Sequence, residues 1–340
     1  MKLENSNIQL SATDLVNFLG CKHLTELDRS HVLGEIDAPD WADPALALLQ
    51  QKGIEHENEY LNFLKENGHS VHTLTEYSNK ATLEAMKNGY DYIYQANLND
   101  GFWSGRADFL KRVDGASVLG DFHYEIEDTK LAQETKAGTL LQLCLYSELL
   151  ARLQEREPEY MHVVKPGKEL PKETYRFAGY KAYYLMIKRQ FESVVSNRPK
   201  SSYPEPVSKC NTCRWWKKCD TQWHKDDHLS LIAGIKTMHL KELERQGINT
   251  LDSYATQNKP YNQKPKKGNT ETYDKIHKQS KIQLKGRKSG NVEYELLELV
   301  EKRGLNRLPV PSKGDIYFDI EGDHYYEDGG LEYLLGFASR

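Results

Sequence analysis

Residues 122–130, FHYEIEDTK, make a demand on the fold that few nine-residue stretches make. Alternation at period two puts Phe122, Tyr124, Ile126, Asp128 and Lys130 on one face of a strand. An apolar face ending in a carboxylate and an amine cannot simply be buried, because a lone charge in a low-dielectric core is expensive. The two groups must pair, bind a metal ion, or sit at an open strand end. The preceding segment, GFWSGRADFLKRV, reads as a second strand joined through an Asp114-Gly115 turn, and it carries Asp108 beside them.

Two aspartates and a lysine at adjacent strand ends suit divalent-metal hydrolysis of a phosphodiester. Carboxylate oxygens hold Mg²⁺ or Mn²⁺. The metal acidifies its bound water, and the lysine orients water or stabilises developing charge. Taken alone, D-x-K is also the pattern of an ordinary ion pair on a hairpin. Two further features weigh against that reading. In GIEHENEYL, His56 and Glu59 lie one helical turn apart and share a face. In QLCLYSELL, Gln142 and Tyr146 are i,i+4 neighbours on the helix after the strand, placed to hydrogen-bond a phosphate or buttress the lysine.

The surrounding pattern supplies a scaffold. SATD caps a helix over 11–21, a helix or helix pair covers 45–67, SVHTLTEY reads as a strand and ATLEAMKNG as a helix. AGTLLQLCLYSELLARLQ is a helix with Leu141, Leu145 and Leu149 on one stripe; EYMHVVKP is a strand and YKAYYLMIKRQFESVV a long helix. Helices flanking a central group of strands predict a mixed α/β domain over residues 1–228.

In the order G-x-x-H, G-R-x-D, D-x-K, Q-x-x-x-Y, residues 1–225 resemble the RecB-like nucleases of the PD-(D/E)XK superfamily. The resemblance implies a restriction-endonuclease-like mixed sheet flanked by helices. It implies that His56, Asp108 and Asp128 hold the catalytic metal, that Lys130 is catalytic, and that Gln142 and Tyr146 support the site and the DNA. Glu125 and Glu127 fall outside the D-x-K spacing, although Glu127 is close enough in sequence to join the metal environment.

Three of the five cysteines, Cys210, Cys213 and Cys219, cluster in SKCNTCRWWKKCDTQWH. Thiolates at this spacing hold Zn²⁺ or an iron–sulfur cluster. On the residues alone zinc is the commoner metal, with His224, His228 or a distant thiol as fourth ligand. Cys144 sits on a helix stripe as a small core residue, whereas Cys21 closes the first helix. The iron–sulfur subgroup of RecB-like nucleases, which includes CRISPR-associated exonucleases, has one cysteine before the nuclease motifs and three after. The resemblance therefore implies a [4Fe–4S] cluster on Cys21, Cys210, Cys213 and Cys219. Closing so long a loop contributes roughly 3–5 kcal/mol by analogy with disulfides. Trp215, Trp216 and Trp223 read as apolar cover for that loop.

Beyond it, residues 229–258 resemble a helix-hairpin-helix unit, with turns at Ala233-Gly234 and Gly247-Ile248 that would hold phosphates through backbone N–H groups. Residues 259–312 read as a basic linker and a helix, YELLELVEKRG. From Lys259 to Lys288 there are ten Lys/Arg against Glu271 and Asp274, the footprint of a polyanion partner in a chain of net charge -4. In 313–340, DIYFDIEG places Asp319 and Glu321 on one strand face before a Gly329-Gly330 turn. This resembles the first motif of RNase H-like, DnaQ-type exonucleases. The later motifs of that fold are missing, so the segment reads as a truncated domain with an incomplete second metal site, from a protein whose relatives sometimes carry a helicase.

The chain has no long apolar run and no secretory leader pattern, and its cysteines do not form a disulfide framework, so a soluble cytoplasmic protein is expected. The leading functional expectation is a DNA nuclease, an exonuclease on single strands or DNA ends in repair, recombination or CRISPR-related processing. The alternative is a non-catalytic nucleic-acid-binding module that positions DNA for a helicase partner. RNA shares the phosphate backbone and is a further substrate class.

Overall fold

In the computed structural model the chain divides into two units, Met1–Trp216 and Lys217–Arg340. The structure describes residues 1–4, 7–40, 42–197, 202–323, 326 and 330–339. Gly329, half of the expected glycine turn, lies outside the described residues.

The first unit opens with a short antiparallel ribbon, β1 (Lys2–Glu4) and β2 (Asn7–Gln9), then helices α1 (Ala12–Gly20) and α2 (Lys22–Val32). Ser11 caps α1 in a reciprocal box: Asp14 N donates to Ser11 Oγ at 3.3 Å, and Ser11 N donates to Asp14 Oδ2 at 2.8 Å. Cys21 separates the two helices and caps the second, its Sγ accepting from Leu24 N at 3.4 Å. The segment that allowed one helix or two is a single helix, α3 (Pro44–Glu66), capped by Asp43 with proline at the first position.

Next come β3 (Val71–Thr73), α4 (Asn79–Lys87), β4 (Tyr92–Asn99), β5 (Ser104–Ser117), β6 (Gly120–Thr129), α5 (Ala137–Gln154), β7 (Tyr160–Val164), β8 (Lys172–Arg176) and α6 (Phe177–Ser196). The six strands β3 to β8 form one mixed sheet in chain order, parallel at β3–β4 and β6–β7 and antiparallel elsewhere. It is an α/β fold, a mixed sheet flanked by helices. The β5–β6 turn is at Val118-Leu119, not at Asp114-Gly115. Gly115 instead sits in a bulge with φ +133, where a Cβ would lie 2.8 Å from the Arg156 guanidinium.

Helix α5 is buried on more than one side, through Leu141, Leu143, Leu145, Leu149 and Leu150, because it lies between the sheet and helices α1 and α6. Gly138 permits the close approach of α1, since a Cβ there would come within 2.8 Å of Val16 Cγ1. This sandwiched helix fixes the strand end that carries Asp128.

In the second unit, α7 (Trp216–Lys225), α8 (Thr237–Arg245), α9 (Leu251–Ala255) and α10 (Thr270–Ser289) precede a two-stranded ribbon, β9 (Ile316–Asp323) and β10 (Leu331–Ser339). A small helical core gathers Leu229, Leu240, Leu243, Leu251, Tyr254, Tyr273 and Ile276. The helix expected at YELLELVEKRG is absent. Tyr294, Leu296, Leu297 and Leu299 are exposed, and a helix that short is marginal without a surface to pack on. The helix lies earlier, in the basic stretch read as linker, because Tyr273, Ile276 and Ser280 recur at helical spacing and are buried. No helix among the described residues is long and apolar enough to cross a membrane.

Candidate functional site

Antiparallel pairing of β5 with β6 sets Phe109 opposite Glu127 and Leu110 opposite Ile126, so Asp108 and Asp128 meet at the next step, on the face covered by α5. Asp128 is fully buried. Its Oδ1 accepts from Gln142 Nε2 at 3.4 Å, and its other oxygen is ion-paired with Lys130, which lies just past the strand end. Asp108 Oδ2 accepts from Thr129 N at 3.0 Å and Thr129 Oγ1 at 3.2 Å. Burial and then the Asp128 carboxylate push the Asp108 carboxyl well above its usual range, against the pull of Lys130. Burial disfavours charge on Lys130, yet Asp128 and Asp108 together outweigh it and hold the ammonium above its ordinary range. The site is thus two buried carboxyls meeting beside a lysine whose charge they hold in place.

Tyr146 is kept neutral by burial and by the same two aspartates. Its ring crosses β5 directly over Gly105. A methyl group at Gly105 would overlap that ring, whose next-nearest atoms would stand only 3.1 Å away. The glycine of G-R-x-D and the tyrosine of Q-x-x-x-Y are therefore one packing device.

His56 reaches the same strand end from α3. Its Nε2 lies 3.3 Å from the Val164 carbonyl, which also accepts from Lys130 N at 3.0 Å. A carbonyl only accepts, so Nε2 carries a proton, and in the neutral form of the ring the lone pair is on Nδ1. That nitrogen is buried without a hydrogen bond, with Glu59 Oε2 at 3.6 Å. The described contacts of His56 are with Val164 and Glu59, not with the aspartates.

Sequence reasoning missed two residues here. Gln95 adopts φ +62 between Tyr94 and Ala96, which pair with Phe109 and Ala107, so this left-handed residue lies beside Asp108. Its amide donates to Glu57, whose charge also contributes to raising Asp108. The available signals were a glutamine interrupting a strand and an acid next to His56. Glu127, by contrast, does not join the metal environment. Period two turns it to the opposite face, where it is fully buried, accepts from Tyr60 OH, and pairs with Lys172 at 3.2 Å. Glu125 shares that face and pairs with His162 at 2.9 Å.

Cys21, Cys210 and Cys213 of the first unit lie within electrostatic reach of one another, and Gly20 beside Cys21 packs against Lys209. Burial pushes Cys21 and Cys213 above the ordinary thiol value, and each would be further repelled by a Cys210 thiolate, as Cys213 would be by Cys21. Chain folding therefore brings Cys21 to the C-x2-C loop from the far end of the unit. Trp215 is buried against α2, its Nε1 donating to Asp28 Oδ1 at 2.8 Å, while Trp216 is exposed. Cys219 and Trp223 are buried on α7, beyond the division between units, and Cys144 is buried in the main core. Asp319 and Glu321 share one face of β9, opposite Gly336 and Leu334, and both are exposed.

Among the described residues no group of three or more His, Cys, Asp or Glu side chains is already arranged to hold a metal ion. The donor chemistry nonetheless fits. A cation would relieve the Asp108–Asp128 repulsion, and thiols suit a thiophilic centre.

No family model and no curated protein matches the chain. A solved structure titled "Crystal structure of SSO0001" aligns over 64% of this chain and 88% of its own, at 15% identity and a TM-score of 0.34.

Proposed function

We propose that the chain is a divalent-metal-dependent nuclease acting on single-stranded DNA or DNA ends, with Asp108, Asp128 and Lys130 at its centre. The observation that carries this reading is the forced meeting of two carboxyls beside a charged lysine at a strand end. Perturbed acids of this kind concentrate where chemistry is done. Asp108, Asp128 and His56 Nδ1 would hold Mg²⁺ or Mn²⁺, which supplies Lewis-acid charge and an acidified water. Lys130 holds positive charge where a phosphate would accumulate negative charge. Gln142 keeps the Asp128 carboxylate oriented, and Tyr146 closes the site from the side of α5. A [4Fe–4S] cluster on Cys21, Cys210, Cys213 and Cys219, with zinc as the alternative, would tie the ends of the domain together. The reading extends to a cytoplasmic role in repair, recombination or CRISPR-related processing, alongside a helicase domain or partner.

The test is cleavage of labelled single-stranded DNA with Mn²⁺, where Asp108→Ala and Lys130→Ala are expected to lose at least about 10²-fold in rate. Variants that cleave like wild type overturn the site. Anaerobically purified protein should be brown and contain iron, and Cys21→Ser should lose the metal as fully as Cys213→Ser. A second reading is a module that binds nucleic acid without cutting it, for which the ten Lys/Arg between Lys259 and Lys288 speak. Binding with no cleavage under any divalent ion would select it.

A further inference from the structure

The basic segment is not a featureless linker, and its helical form carries information that its composition does not. At about 100° per residue, Lys278, Lys281, Lys285 and Lys288 of α10 fall within an arc of about 80°. All four are exposed. Asp274 stands at the N-terminal end of the same arc. Exposed Lys285 makes an ion pair with the half-buried Glu293 at 2.6 Å, a contact that a phosphate can replace. Among the described residues no carboxylate pairs with Lys278, Lys281 or Lys288. The helix is held from behind: Tyr273, Ile276, His277 and Ser280 are buried, and Asp227 ties its end through Arg287.

We infer that this lysine face of α10 is a docking surface for the sugar–phosphate backbone of a nucleic acid, read without regard to sequence. The four lysines span about 15 Å of helix, over which one strand of a duplex presents about four phosphates. An acidic membrane is the competing polyanion, but an interfacial helix needs large apolar side chains to insert. Here Tyr273 and Ile276 are committed to the core of the second unit. The inference goes beyond the nuclease reading and stands without it.

The experiment uses the full chain without divalent ions, so that nothing is cut, and follows binding to a fluorescent 20-mer oligothymidylate and a 20-bp duplex as salt is raised. Replacing the four lysines by glutamine keeps helix propensity. It should flatten the slope of log K against log salt by about three to four, since each neutralised phosphate contributes about 0.7–0.9. An unchanged slope overturns the proposal, as does wild-type binding to phosphatidylserine vesicles but to neither oligonucleotide. If circular dichroism shows that the fourfold variant has lost helix, K281Q/K285Q decides, with half the change expected. DNA binding without cleavage would sink the nuclease reading alone; intact cleavage with an unaltered salt slope would sink this one alone.

Discussion

The two faces of β6 each bury an acid next to a lysine, and they resolve the cost in opposite ways. On one face Glu127 is satisfied: Tyr60 donates to it, Lys172 bridges both its oxygens at 3.2–3.3 Å, and the other buried acid of that face, Glu125, has its own partner in His162. On the other face Asp128 meets Asp108, so one lysine serves two carboxyls, and burial together with Asp128 raises the Asp108 carboxyl. A satisfied network rigidifies a core. A crowded one stores electrostatic free energy that a bound cation would release. Charge burial alone therefore does not mark a site; the kind of pairing does.

The largest effect should separate the two lysines. Lys130→Ala is expected to lower Mn²⁺-dependent cleavage by about 10³-fold, whereas Lys172→Met leaves it within about threefold. Comparable losses at both would erase the distinction between the faces. Next in size is stability. Lys172→Met strands the buried Glu127 carboxylate and should cost about 3 kcal/mol in chemical denaturation. A change below about 1 kcal/mol would mean that Tyr60 alone satisfies Glu127.

Gly105→Ala probes the packing that joins two motifs. Pushing the Tyr146 ring aside should cost about 1–3 kcal/mol, and in a double-mutant cycle with Tyr146→Leu the two costs should not add. Additive costs would show that the ring does not rest on Gly105. The smallest effects are in pH dependence, and their signs differ. Burial raises the Glu148 carboxyl, but Lys188, Tyr184 and Arg152 outweigh it and hold it below its ordinary value of 4.5. Its contribution is present above pH 4.5 and fades as pH falls through the lowered value. Asp108 is raised, so its contribution is present at low pH and fades as pH rises. Metal-free Glu148→Gln should therefore lose stability relative to wild type as pH climbs from 3 to 7, and Asp108→Asn should gain it. Shifts of the same sign would refute the assignment.

What could be read from the chain followed from period and spacing. Asp128 and Lys130 were legible because alternation along FHYEIEDTK is unbroken, and Gln142 with Tyr146 because α5 has strong helical spacing. Strand β4 was not, since YIYQANLN mixes polar residues into both faces and the left-handed Gln95 interrupts it. Strand β8 is short and polar, and β7 alone gives it a register. Glu57 and Gln95 left only faint signals, because their role depends on a contact between distant elements. The opposite orientation of Glu127 did follow from period two; its hydrogen bond from Tyr60 and its ion pair with Lys172 are tertiary facts.

The most direct measurement is Mn²⁺ binding followed by electron paramagnetic resonance, with wild type, Asp108→Asn and Glu127→Gln titrated side by side. The expected result is that Glu127→Gln binds Mn²⁺ like wild type while Asp108→Asn weakens binding at least about tenfold. Undiminished binding by Asp108→Asn, or loss confined to Glu127→Gln, would place the cation elsewhere and contradict the assignment of the two faces.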